Sequence, residues 1–446
     1  MAADRTVAPV LPLTLTGISL GYFMVLLDLT VLAVAEPDLA ASLGAGRAGL
    51  QWITTAYTLA FAALLLAAGA AADRHGAGRL FRAGIAGFTA ASLLSALAPH
   101  LGTLIALRVL AGAAAAACVP ASLALIAHHH PAPAARARAI AAWAAISGAA
   151  VAVGPVVGGA LVASAGWRAV FLANVPIGLA VLALTRRVTA APPVHRPIDW
   201  PAQLTAAAVL ALLTDGVIAA GVGAWPHTAL SVAGLAVAAP LFGALDRRSG
   251  TPVLDRTLLR SPGVRSGLLA AAAVTFALTG GLFVLPLLLQ REWGLGPLAS
   301  GLALLPLTVP FVANPPFTGR LVARVGPRRP ILAGLATLSA GGVALAATVF
   351  AAGGYPWLAP GLLLTGTGVS LVLPALVTAV VQAAPPGTAG AVGGLLNAVR
   401  QVGATLGVAV MGAAADTDVA LACSAAVCAG AWLVFRRSRP RAGVRG

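Results

Sequence analysis

Fourteen apolar runs of roughly twenty residues each follow one another from residue 13 to residue 435, and nothing between them is long enough for a separate soluble domain. A run of that length crosses the hydrocarbon core of a bilayer as a helix, at a rise of about 1.5 Å per residue. Lipid offers no partner to a backbone N–H or C=O, so helices that satisfy their own backbone are the structure left open to such a chain. The composition agrees. The chain is 59% hydrophobic and 9% charged, where a soluble domain carries about 25% charged residues. These observations predict an all-α integral membrane protein with fourteen transmembrane spans.

The net charge of +16 is carried entirely by arginine and does not mark a nucleic-acid binder, because the basic residues are scattered over short loops. They read as topology signals. With the N-terminus inside, 23 of the 28 arginines fall in cytoplasmic segments, and only Arg47, Arg168 and Arg291 fall outside. Both termini are therefore expected in the cytoplasm. The first run is too long for a signal-peptide core and is read as a retained span. Cys118, Cys423 and Cys428 lie in apolar segments and read as packing residues.

An internal repeat organises the chain. Gly69, Asp73, Arg74 and Gly76 follow the second span; Gly319, Ala323, Arg324 and Gly326 follow the tenth at a constant offset of 250 residues. A parallel repeat of six-span halves is a transporter architecture that binds its substrate between the halves. The expected division is residues 1–185 as a first six-helix bundle and 264–446 as a second. Residues 186–263 then hold two surplus helices, near 201–222 and 227–245, with basic connectors.

Two charges lie deep in apolar runs. Asp28 sits within GISLGYFMVLLDLTVLAVA, and Arg108 in the fourth run. Both are expected some 10–12 Å below the outer surface. A carboxylate is costly in lipid and signals a functional site by default. Two readings stand: a static pair that ties helices together, or a proton site whose ionisation follows its distance to Arg108 and its access to water.

Several motifs, in order, resemble those of the major facilitator superfamily, and within it the fourteen-span drug:proton antiporters of EmrB/QacA type. They are LLDLTVLAVAEPDL (26–39), QWITTAYTLAFAALLLAAGAAADRHGAGR (51–79), RVLAG (108–112), GPVVGG (154–159), GWRAVFLANVPIG (166–178) and NAVRQVGATLG (397–407). The resemblance covers nearly the whole chain. It implies the major facilitator fold, two six-helix bundles plus two extra helices, in a bacterial inner membrane. It implies export of hydrophobic or amphipathic drugs by alternating access, driven by protons through Asp28 and Arg108. A carrier for one metabolite or a self-made natural product is the alternative. The chain departs from the family where it has Ala33, Glu36, Ala77, Gly78 and Ala111; the family usually has an apolar residue at the position of Glu36.

The same resemblance makes Gly69, Asp73, Arg74, Gly76, Arg79 and Arg324 a cytoplasmic gate, against a plain topology signal. It makes Gly154, Pro155, Gly158 and Gly159 an antiporter hinge, against ordinary small-residue packing. Gln51, Trp52, Tyr57, Asn314, Asn397, Arg400 and Gln401 are the groups expected to reach a central cavity, with Arg400 alternatively engaged in structural hydrogen bonds. Asp215 is expected to snorkel to a nearby loop or to act as a second proton site. His128, His129 and His130 read as a helix end rather than a metal site, since consecutive residues of a helix point different ways. Asp199, Asp246 and Asp255 are expected to be solvated. No metal, cofactor or nucleic-acid partner is expected. No G-x-x-x-x-G-K-[ST] loop occurs, so the energy source expected is the proton motive force rather than ATP. The partners expected are protons, a small hydrophobic substrate and the bilayer, with the chain monomeric.

Overall fold

The computed structural model describes residues 12–186, 188, 199–250, 252–253, 256–385 and 388–438. Residues 187 and 189–198 of the connector, and Asp255, therefore lie outside the described residues. The described chain is helical throughout. Its first part comprises α1 (Pro12–Leu43), α2 (Arg47–His75), α3 (Ala77–Ala96), α4 (Leu101–His129), α5 (Pro133–Ala165), α6 (Trp167–Leu172) and α7 (Asn174–Thr185). The middle holds α8 (Trp200–Gly221), α9 (Trp225–Arg248) and the short α10 (Arg256–Arg260). The last part runs α11 (Pro262–Leu287), α12 (Pro297–Ala303), α13 (Leu305–Thr308), α14 (Pro310–Ala313), α15 (Pro315–Val325), α16 (Arg328–Phe350), α17 (Tyr355–Ala383), α18 (Ala389–Ala413) and α19 (Thr417–Arg437). A π-helical turn, Leu288–Glu292, extends α11.

Among the described residues, twelve helices are long and apolar enough to cross a membrane, not fourteen. The two expected spans that fall short do so for different reasons. α3 carries Arg79 and Arg82 in its first turns, and Arg82 donates to the carbonyls of Thr185 and Val188 at the end of α7, 3.5 and 3.1 Å away. The stretch expected to span 298–319 is broken into α12–α15, with prolines in the first turns of all four pieces. Each proline removes a backbone donor and clashes with the preceding turn, so one continuous helix cannot form there.

Small residues set how closely the helices approach. A methyl group on Gly112 of α4 would fall onto the Tyr57 carbonyl of α2, and one on Gly407 of α18 onto the Phe276 carbonyl of α11. Such contacts let backbones meet where lipid supplies no hydrophobic drive between helices. α1 packs on α5 and α7, and α2 and α3 pack on α4. In the last part, α11 packs on α18 and α19, and α16 on α17 and α19. The two parts meet where α2 lies on α18 and α5 on α12, while α8 touches both α2 and α18.

The repeat is visible in the backbone. Gly76 ends α2 at φ +89° and donates to Ala72 O at 3.0 Å; Gly326 ends α15 at φ +76° and donates to Val322 O at 2.9 Å. The left-handed region suits glycine, which explains why the copies keep it.

Candidate functional site

Asp28 and Arg108 do meet. Arg108 Nη1 lies 2.6 Å from Asp28 Oδ2, and the two side chains are 1% and 0% exposed. The other carboxylate oxygen accepts from Asn174 Nδ2 of α7 at 2.9 Å, and Asn174 also reaches Ser92 Oγ of α3 at 3.4 Å. Arg108 Nε donates to Ile53 O of α2 at 3.3 Å. Its guanidinium stands over the Tyr57 ring, 4.5 Å from the centroid, with Phe171 on another side at 5.8 Å. Six of the first seven helices thus converge on one buried ion pair. Burying two charges costs several kcal/mol per ion, which close pairing and added hydrogen bonds offset. The Asp28 charge holds Arg108, so loss of either charge would loosen the packing of these helices.

A cavity of about 1690 Å³ lies between the first and last parts of the chain. Tyr22, Leu26 and Trp143 border it on one side, and Phe311, Leu373 and Arg400 on the other. Tyr22 and Trp143 stack with centroids 4.6 Å apart. One end adjoins Gly69, Asp73, Asp199 and Val253, that is, the repeat loop and the connectors. Toward the opposite end the parts are tied together. Gln51 Nε2 donates to Val408 O and Ala409 O at 3.2 and 2.8 Å, and Thr405 Oγ1 to Thr58 Oγ1 at 2.7 Å. Gln290 Nε2 donates to Val34 O at 2.9 Å, and Arg47 Nη1 to Ala414 O at 2.7 Å. Asp28 and Arg108 do not border this cavity.

Of the seven residues expected in the cavity, Asn397, Arg400 and Gln401 line it. Asn314 stands behind the wall and donates to Ser370 Oγ at 2.8 Å. Gln51 is instead the tie to α18, Tyr57 is the platform under Arg108, and Trp52 is half-buried away from the cavity. Arg400 Nη1 donates to Asn397 Oδ1 at 3.3 Å and its Nε has no partner.

Gly69 and Asp73 of the expected gate border the cavity; Arg74, Arg79 and Arg324 do not. In the matching loop Arg328 donates to the carbonyls of Arg436 and Ser438 and so caps α19. The GPVVGG segment lies on α5 between the two parts. A methyl group on Gly158 would come within 2.8 Å of Val31 O on α1, and one on Gly159 within 2.5 Å of Pro297 O on α12. Gly154 faces Thr30, and Gly301 of α12 faces the Pro155 carbonyl. Side chains larger than hydrogen would separate these helices.

Asp215 takes two hydrogen bonds on one oxygen, from Ser231 Oγ at 2.5 Å and His227 Nε2 at 2.7 Å, which joins α8 to α9. It is held rather than simply snorkelling. Asp246 is buried and accepts from Val253 N at 2.7 Å, and Asp199 accepts from Ala202 N at 3.1 Å as the cap of α8. Neither is merely solvated. Hydrogen bonds from Ser249 and the Ala202 N–H hold the Asp199 carboxyl below its ordinary range. Among the described residues no group of three or more His, Cys, Asp or Glu is placed to hold a metal ion.

Two polar residues of the interior were not among the expected site residues. Asn174 was legible as an amide inside the apolar motif that carries it. Glu36 was legible as an acid beside Pro37. It borders the cavity with Thr54, whose hydroxyl donates to Glu36 Oε1 at 3.1 Å, and Oε2 has no partner.

The sequence matches the family model described as Major Facilitator Superfamily over residues 18–408. It is 35% identical over 404 residues to the multidrug resistance protein Stp of Mycobacterium tuberculosis, covering 90% of this chain and 75% of that protein. It is 34% identical to the tetracenomycin C resistance and export protein of Streptomyces glaucescens, covering 90% and 75%. It is 35% identical to a methylenomycin A resistance protein of Streptomyces coelicolor, covering 89% and 84%. Among solved structures, a peptide transporter POT in complex with sulfate superposes with a TM-score of 0.73 at 16% identity, covering 98% of this chain and 97% of that one. The human organic anion transporter MFSD10 gives 0.64 at 17% identity, covering 95% and 99%. At these identities the two structures speak to the fold.

Proposed function

The chain belongs to the Major Facilitator Superfamily, and we propose that it exports hydrophobic or amphipathic drugs or antibiotics in exchange for protons by alternating access. The observation that carries this reading is the large, mainly apolar cavity between the two parts, tied shut toward one end. A cavity of that kind holds bulky apolar molecules by area burial and orients them with a few polar groups. Relatives named for multidrug resistance and antibiotic export support it.

In this reading residues 1–185 and 264–446 are the two rocking bundles, and 186–263 insert two helices. α3 and the broken run α12–α15 cross the membrane as well, which makes fourteen spans of EmrB/QacA type. α3 has 20 residues, about 30 Å of helix, and the run 297–325 is bounded by the repeat loop. Both termini face the cytoplasm of a bacterial cell, so the cavity opens inward. Asp28 exchanges a proton as its distance to Arg108 changes. The repeat loop latches the inward face when the cavity opens outward, and GPVVGG is the hinge. The protein works as a monomer on the proton motive force, without ATP. The membrane potential offers about 2.3 kcal/mol per charge per 100 mV, enough to bias a rocking equilibrium.

The test is transport in proteoliposomes under an imposed pH gradient, with a panel of lipophilic cations and neutral antibiotics. Accumulation that follows the gradient and stops when a protonophore collapses it is the expected result. Movement of cargo indifferent to the gradient overturns antiport. Relatives named for single natural products favour a second reading, a carrier for one such compound; transport of one panel member alone would select it.

A further inference from the structure

Glu36 is a buried acid, 1% exposed, at the tied end of the cavity. The Asp28 network does not use it. One carboxylate oxygen is satisfied by Thr54 and the other has no hydrogen-bond partner. A buried unpaired carboxylate oxygen is costly, and it is relieved by a proton or by a donor from outside the chain. Among the described residues Glu36 forms no ion pair; Arg291, in the π turn, influences it only at a distance.

Two further acceptors lie beside it. The Thr54 hydroxyl gives its proton to Glu36 and keeps its lone pairs. Pro37 has no N–H to offer the Ala33 carbonyl one turn back, and Ala33 also borders the cavity. Leu282 and Phe283 supply apolar wall at the same end. Arg400 stands nearer the open end. Thr58 lies four residues beyond Thr54 on α2 and meets Thr405, and Arg400 lies five residues before Thr405 on α18. Nine residues at about 1.5 Å place Arg400 roughly 14 Å from Glu36 along the helices. A cation is repelled by Arg400 at one end of this cavity and meets the Glu36 carboxylate at the other.

Resting on the export reading above, we propose that Glu36 is a cargo-binding residue: with Thr54 it receives the protonated amine of an amphipathic substrate, whose apolar body lies along the cavity. An alkylammonium brings three donors and no acceptor, the complement of this acceptor-rich corner.

The test compares dansylcadaverine, which carries a free ammonium, with its N-acetyl derivative, which has the same fluorophore and no charge. Binding to the purified full-length protein is read by energy transfer from its tryptophans, of which Trp143 borders the cavity. The wild type is expected to prefer the amine. Glu36→Gln is expected to weaken the amine at least tenfold and leave the acetylated probe within about twofold, while Glu36→Asp keeps part of the preference. Equal affinity of the wild type for both probes overturns the proposal. So does a Glu36→Gln protein that keeps the preference, or one that loses both probes alike. Export of the acetylated probe by Glu36→Gln proteoliposomes, measured in parallel, shows whether the export reading stands independently of the Glu36 assignment.

Discussion

Asp28 and Arg108 form a 2.6 Å ion pair in the interior of the first part of the chain, and neither borders the cavity. In the proposed antiport, proton exchange at Asp28 and cargo binding in the cavity would be spatially separate, and coupling would pass through the helices that carry the pair. Asp28→Asn is expected to abolish gradient-driven efflux while the protein still inserts, since the amide keeps the shape and removes the charge. Arg108→Ala is expected to cost stability as well, about 3–5 kcal/mol, because it strands a buried carboxylate. Efflux and thermal unfolding in detergent check both. Full efflux by a well-expressed Asp28→Asn protein would place the coupling elsewhere.

Close helix contacts give a second prediction, with an internal control. Gly301 abuts the Pro155 carbonyl, a backbone atom between the two parts, whereas Gly267 of α11 abuts the Val380 side chain of α17. Alanine at either position overpacks a tight contact, at a cost of about 1–3 kcal/mol. Val380→Ala is expected to relieve Gly267→Ala, so the double variant loses less than the sum of the single ones. No side-chain trimming is expected to relieve Gly301→Ala, and its transport should fall further than its melting temperature. Additive losses at 267 and 380 would show that the contact is not tight.

The helices were legible because the length of an apolar run determines whether it crosses lipid, whatever its neighbours do. Failures of the count fall where local chemistry intrudes, at the arginines of α3 and the prolines of 297–325. Depth along a helix was legible too, which is why Asp28 and Arg108 paired as their positions suggested. Rotation about the axis was not: Gln51 and Tyr57 share α2 with cavity residues but face α18 and Arg108 instead. Glu36 escaped the site list because it stands one residue past the apolar run that ends at Ala35. α1 continues through Pro37 to Leu43, so this acid is buried inside a span.

Thr58 and Thr405 are joined across the two parts by a 2.7 Å hydrogen bond, which predicts a reversible lock. Cysteines at both positions, in a protein whose Cys118, Cys423 and Cys428 are replaced, are expected to form a disulfide on mild oxidation. With that end of the cavity fixed, binding from the repeat-loop side should persist while transport stops, and reduction should restore transport. Undiminished transport by the cross-linked protein would show that the two parts do not separate there.

Asp199 caps α8 at the mouth of the cavity and lies outside the membrane-spanning helices, so its ionisation can be read from solution. Its carboxyl is held below the ordinary carboxylate range by the Ser249 and Ala202 hydrogen bonds. A lowered folded pKa stabilises the folded helix end above the unfolded value of about 3.9, and that contribution is lost as pH falls through the folded value. Amide exchange in the first turn of α8, corrected for intrinsic rate, should therefore be slow near neutral pH and rise as the medium is acidified below about pH 4. Asp199→Ala should show fast exchange across the whole range, having no cap to lose. A wild-type first turn whose protection does not change on acidification would mean that the carboxylate does not hold the start of α8.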